Sequence, residues 1–333
     1  MPKLGANMKY YNLKSIIAAT KTKYSLRTES ESFYIAPKRD KPFIEPAFTK
    51  EEFTTERPSV ILISAIGATG KTTLAQSLSN EIGLPLLDLG KHKPVADNTL
   101  TGLITNSFHV RDLSMILEGI GSGTFGVIID GIDEGRSKTT EKAFEAFLDD
   151  IVRLCGNSTN TSFVLLGRTQ ILEYSWLYLT EKGTSTGLIT ISPFDLDQAR
   201  NYIDKFTEGL NSQYIDQYIV VRDEILDILG DAFGSENVKN DNDFLSFIGY
   251  PPVLDAIATL LITEKNYHRL QQEVQESDKS DVEVGLLLRI SNYIIGRERD
   301  LKVIPNIVTP LVSGMPDTMR NDIVSKVFNK EEQ

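Results

Sequence analysis

Cysteine is nearly absent from this chain: Cys155 is the only one in 333 residues. No intrachain disulfide can form, which fits a reducing compartment. Histidine is almost as scarce, and His92, His109 and His268 are scattered without any metal-ligand spacing. No apolar run approaches the roughly 18 residues of a membrane helix. The opening MPKLGANMKYYNLKSIIAAT lacks the apolar core of a signal peptide. These absences predict a cytoplasmic protein with no membrane partner. Cations are also in deficit, with 35 Lys and Arg against 46 Asp and Glu and a net charge of −11. That balance argues against a general affinity for nucleic acid, whose binding needs clustered cations to displace counterions. The deficit reverses only in residues 1–28, which hold Lys3, Lys9, Lys14, Lys21, Lys23 and Arg27 and no acid. Such a segment is either a solvated surface or a docking patch for a protein partner or an acidic polymer. There is no internal repeat and no low-complexity tract.

What is present divides into three parts. Residues 1–57 are mixed: KYYNLKSIIAATKTKYS suits a short helix, and ESFYIAPKRDKPFIEPAF is extended and punctuated by Pro37, Pro42 and Pro46. This part is expected to be an N-terminal extension packed on the next domain. Over 58–210 short apolar runs (Val60–Ser64, Leu86–Leu89, Gly126–Asp130, Ser162–Leu166 and Leu188–Ile191) alternate with helical stretches such as 71–82 and 140–154. Buried strands alternating with helices predict an α/β domain with a five-stranded parallel sheet covered on both faces. Cys155 falls at the end of the second of those helices and reads as a small core residue. From 211 to 333 the strands stop. Helical patterns over 213–233, 241–263, 283–299 and 315–328 predict an all-helical domain, with GSENVKNDND and QQEVQESDKSD as polar loops.

The first apolar run leads into AIGATGKT, residues 65–72, and then into an amphipathic helix. A glycine-rich turn between strand and helix exposes successive backbone N–H groups, and these bind phosphate oxygens together with the positive end of the helix dipole. The cradle is Ala65, Gly67, Ala68, Thr69 and Gly70, followed by Lys71, Thr72 and Thr73. Lys71 suits the β- and γ-phosphates and the Thr72 hydroxyl suits Mg²⁺. The pattern G-x-x-x-x-G-K-[ST] is met with one change, Ala65 at the first glycine. A second run, FGVIIDGIDEG (125–135), ends in Asp130 and is followed at once by Asp133 and Glu134. Three carboxylates in five positions repel each other unless a cation relieves them. Asp130 is expected to hold the metal, and Asp133 or Glu134 to polarise an attacking water. Without the upstream loop, the same acids would read as the cap of a helix starting near Thr139. A third run ends in Arg168, and a parallel sheet brings that end to the same edge, where Arg168 can meet a γ-phosphate.

VIIDGIDE resembles the extended Walker B motif of the NACHT group within the STAND class of P-loop NTPases. Arg168 falls where such families carry a sensor arginine, and ISPFDLDQARNYI (191–203) is similar to the segment that closes their nucleotide domain. FIGYPPVLDAIATLL (247–261) is similar to their Gly-x-Pro motif, which makes Pro251, two residues after Gly249, the residue near adenine. The resemblance covers residues 58–300. It implies an ATP- and Mg²⁺-dependent molecular switch with slow hydrolysis and nucleotide-dependent self-association, in defence for example. The chain departs from the pattern at Ala65, in the GRT around Arg168, and in lacking a long repeat array. A GTPase base motif is missing too, the nearest match being VKND (238–241), so ATP is expected. Three alternatives use the same loop: a P-loop small-molecule kinase, an AAA+ ATPase, and a scaffold that binds nucleotide without turnover.

Overall fold

The computed structural model describes residues 7–17, 24–27, 32–38, 43–91, 95–156, 158–207, 215–233, 247–263, 267–276 and 279–300. They fall into two compact units, Met1–Gln198 and Ala199–Gln333. The first unit holds β1 (Asn7–Lys9), β2 (Phe33–Tyr34), β3 (Ala47–Phe53), β4 (Val60–Ser64), β5 (Leu86–Asp88), β6 (Val127–Asp130), β7 (Phe163–Gly167) and β8 (Thr186–Ile191). Its helices are α1 (Tyr10–Ile16), α2 (Lys71–Ile82), α3 (Thr99–Ser107), α4 (Leu113–Ser122), α5 (Ile132–Ser137), α6 (Glu141–Cys155) and α7 (Thr169–Glu181).

The expected five-stranded parallel sheet needs correction. The sheet is mixed and eight-stranded, in the order β1-β3-β8-β4-β7-β6-β5-β2. The five expected strands are β8, β4, β7, β6 and β5, and they do run parallel to one another. The three extra strands all come from the N-terminal segment and are antiparallel. A parallel sheet leaves a row of unpaired N–H and C=O groups along each edge. The N-terminal segment fills both, with β3 and β1 beyond β8 and β2 beyond β5.

Each central strand is buried on both faces, so its residues alternate between two cores. Val60, Leu62, Val127, Ile129, Phe163 and Leu165 share one core with Phe144, Phe147, Leu148 and Ile151 of α6. Ile61, Ile63, Ile128, Val164 and Leu166 share the other with Leu74, Ala75 and Leu78 of α2 and with Tyr10 and Leu13 of α1. Cys155 is buried at the end of α6, as expected, and burial pushes its thiol up to about 12, which makes it inert. In the basic segment, Lys14 pairs with Glu81 at 2.7 Å and Arg27 Nε donates to the Phe108 carbonyl at 2.8 Å. Lys3, Lys21 and Lys23 lie outside the described residues.

Helix α8 (Leu196–Phe206) leads into the second unit, followed by α9 (Ile215–Phe233), α10 (Pro251–Thr263), α11 (Tyr267–Glu276) and α12 (Lys279–Glu298). The described residues of this unit are almost entirely helical. Pro251 opens α10, where its missing N–H is no loss. The expected loop at QQEVQESDKSD is also corrected, because α11 runs through most of it and α12 begins at Lys279. Gln, Glu and Lys are good helix formers, and the stretch has no Gly or Pro to stop a helix. Both GSENVKNDND and the helix expected over 315–328 lie outside the described residues. No described helix is long and apolar enough to cross a membrane.

Candidate functional site

Parallel strands end together, and here their C-terminal ends gather the residues singled out from sequence. Ser64 stands opposite Gly167 in the β4–β7 register, and Asp88 opposite Asp130 in β5–β6. The loop after β4 turns into α2 through Gly70, whose φ of +88° favours glycine. Ala68 also has positive φ, +59°. A Cβ on Gly67 would meet nothing within 4 Å. Ala65 has no positive φ, its side chain is buried, and its N–H donates to the Gly167 carbonyl at 3.3 Å. Alanine is therefore compatible with this position. Thr69 Oγ1 donates to the Ile66 carbonyl at 2.8 Å, which tightens the loop.

Lys71 begins α2 and folds back over the loop. Its Nζ donates to the carbonyls of Ala65 at 3.1 Å and Ile66 at 2.7 Å. Burial lowers its pKa, while the charges of Asp133 and Asp130 pull the other way. Thr72 and Thr73 follow in the first turn. Asp130, at the end of β6, has the Thr72 hydroxyl near enough to lower its carboxyl pKa.

After Asp130 the chain turns through Gly131, with φ of +77°, into the short α5. A Cβ there would come within 2.9 Å of Glu134 Oε2 and 3.1 Å of the Gly90 nitrogen, so both the turn and the close approach call for glycine. Asp133 and Glu134 occupy the first turn of α5, where the helix dipole favours acids. Their surroundings differ. Asp133 is largely covered; it accepts from the Arg168 backbone N–H at 3.2 Å and forms an ion pair with the Arg168 Nε at 3.0 Å. Glu134 is exposed and has no ion-pair partner among the described residues. Asp130 itself is buried. Burial pushes its pKa up to about 6, and Asp88 and Glu134 add repulsion against the lowering effect of Thr72 and the Gly131 N–H.

Sequence reasoning passed over Asp88. It accepts from the Gly90 N–H at 2.9 Å, pairs with Lys91 at 3.3 Å, and faces Asp130 across the strand pair. The signal was available, since LLDL, like VIID, is an apolar strand ending in an acid. Pro251 belongs to the second unit.

Among the described residues no group of three His, Cys, Asp or Glu is arranged to hold a metal ion by itself. The residues nonetheless fit a Mg²⁺ that also touches phosphate, because such an ion takes only one or two protein oxygens. Asp130 is a buried carboxylate under net repulsion beside a hydroxyl, an arrangement that a cation would relieve.

No family model and no curated protein matches this chain. One solved structure that it is similar to is titled a crystal structure of a DNA replication initiation factor. The two are 12% identical, the match covers 72% of this chain and 89% of that one, and the TM-score is 0.28. A likeness at that level carries no argument about function, and the site stands on its own geometry.

Proposed function

We propose that the chain is an ATP-binding P-loop NTPase that hydrolyses slowly and acts as a nucleotide-dependent switch. The observation that carries this reading is the convergence of the residue 65–72 loop, Asp130, Asp133, Glu134 and Arg168 at one edge of a parallel array. The loop N–H groups and Lys71 hold the phosphates. Thr72 and Asp130 would hold Mg²⁺, whose charge neutralises the phosphate oxygens. The Asp133–Arg168 contacts favour Glu134 as the base that orients water, since Asp133 already serves as acceptor to the arginine. A γ-phosphate competes with Asp133 for Arg168, so nucleotide binding loosens that pair. Residues 58–210 with the N-terminal strands are the nucleotide-binding part. Residues 211–333 are the part that responds, with Pro251 near the base, and self-association is the output. These last assignments rest on the NACHT-like motifs.

The test is Mg²⁺-dependent ATP binding and turnover, with particle mass recorded in both states. Lys71→Ala is expected to weaken ATP binding by about 100-fold, the size of a lost charge-assisted contact. Glu134→Gln is expected to keep binding and lose roughly 10²–10⁴-fold in turnover. A wild type that binds ATP with no turnover and no change of mass would reduce the protein to a nucleotide-stabilised scaffold.

A further inference from the structure

Away from the phosphate loop, the first unit carries a groove of about 760 Å³ between α7 and the face of the sheet at β3 and β8. Its walls hold Glu51 and Glu52 of β3 and Glu173, Tyr174, Trp176 and Leu177 of α7. Side chains normally alternate across a strand, so consecutive glutamates should face opposite sides. They do not here, because the β3–β8 register passes from Lys50 opposite Ile189 to Glu52 opposite Leu188 and leaves Glu51 as an inserted residue. Such a bulge re-aims side chains locally, and both carboxylates line the same groove. Glu173 adds a third from the facing helix. None of the three has a cation partner among the described residues, and no Lys or Arg lines the groove. They are not arranged to hold a metal ion.

The groove is also apolar. Leu177 is 51% exposed on the groove wall. The Tyr174 ring is fixed, because its hydroxyl donates to Glu145 at 2.8 Å. The Trp176 indole N–H is buried without an acceptor, so packing alone holds that ring.

We propose that this groove docks a cationic, apolar-bearing peptide segment of a partner protein. Charge complementarity selects the occupant. Three unpaired carboxylates call for Lys or Arg, and the aromatic and leucine wall calls for apolar side chains beside them. The volume suits a few side chains rather than a folded domain. The occupant rests on the first turn of α7, since Thr169 and Gln170 line the groove immediately after Arg168. Docking itself requires no nucleotide.

Trp176 is the only tryptophan in the chain, so its emission reports on this groove directly. A short synthetic peptide alternating Lys and Leu, titrated into the full chain without nucleotide, is expected to shift that emission saturably. The variant Glu51→Gln, Glu52→Gln, Glu173→Gln is expected to bind about tenfold more weakly. A charge-matched control, Glu118→Gln, Asp216→Asn, Asp281→Asn, is expected to bind like the wild type. A Lys–Ser peptide of the same length is expected to bind more weakly, and a Glu–Leu peptide not at all. Equal weakening in both triple variants would reduce the effect to bulk charge and overturn the proposal. So would an emission unmoved by the Lys–Leu peptide. If the unliganded chain forms dimers that only the groove variant abolishes, the face belongs to a second copy and the peptide reading fails.

Discussion

Two of the described aspartates of the first unit are buried, and their surroundings are opposite. Asp150 of α6 is fully buried and fully satisfied. It accepts from the N–H of Leu100 at 2.9 Å, the N–H of Thr101 at 3.1 Å and the Thr101 hydroxyl at 2.8 Å, and Arg153 pairs with it from the same helix. The Asn98 side chain does not cap α3, so Asp150 caps that helix from a neighbour. Asp130 is nearly as buried, yet it faces Asp88 and Glu134. A carboxylate placed for stability is surrounded by donors, while one left among like charges destabilises the free chain and favours a cation. Satisfaction therefore separates the two more sharply than burial does.

The largest expected effect is on the satisfied side. Asp150→Ala removes every one of those bonds and strands the N–H groups of Leu100 and Thr101. A loss of about 3 kcal/mol in unfolding free energy is expected. Urea unfolding should show it as a lower midpoint with unchanged slope. A loss under about 1 kcal/mol would mean that water or relaxation replaces the cap, and the contrast would weaken.

Asp130→Asn should move stability the other way. The folded-state pKa of about 6 lies above the ordinary carboxylate value. Between roughly pH 4 and 6 the folded chain therefore binds more protons than the unfolded one, and stability falls as pH rises through that window. Above it the penalty is complete. Asp130→Asn is expected to stabilise the free protein by about 2 kcal/mol at pH 7, with the gain shrinking below pH 6 and gone near pH 4. Thermal melts of both proteins across that range decide it, and a gain independent of pH would point to packing instead of charge. On the proposed reading, Mg²⁺-dependent ATP affinity of the wild type also falls as pH drops through about 6, because the metal needs the ionised form.

The contrast explains what the amino-acid order could reveal. The central strands and the phosphate loop were legible because their signals are local, an apolar run, a glycine turn and an amphipathic helix. Asp133 and Glu134 were legible as a cluster, but their different surroundings depend on Arg168, 35 positions away from Asp133. The cap at Asp150 depends on residues 50 positions away and leaves no mark in the α6 pattern. β1 and β2, with three and two residues, are too short to show a period and exist because the sheet edges need partners. The bulge at Glu51 is a property of the β3–β8 register and has no signature in TKEEF. The polarity of QQEVQESDKSD points to a loop, but its Gln, Glu and Lys residues favour a helix and no Gly or Pro stops one.

The smallest expected effect tests whether the phosphate loop stores strain of another kind. Ala68 has φ of +59°, a region where a Cβ meets the following carbonyl. Ala68→Gly relieves that contact and also loosens the unfolded chain, so the net gain in stability is expected to be below about 1 kcal/mol. The same change widens the range of shapes open to the free loop. ATP affinity is therefore expected to fall, by less than about tenfold, because the N–H groups are less preorganised for phosphate. Calorimetric binding and thermal melts on one protein sample separate the two effects. If stability rises while affinity holds, the strain at Ala68 is incidental, and the instability of this edge lies in its carboxylates alone. If both move as expected, loop and carboxylates share one character: each is held in a state that the free chain disfavours and the bound ligand relieves.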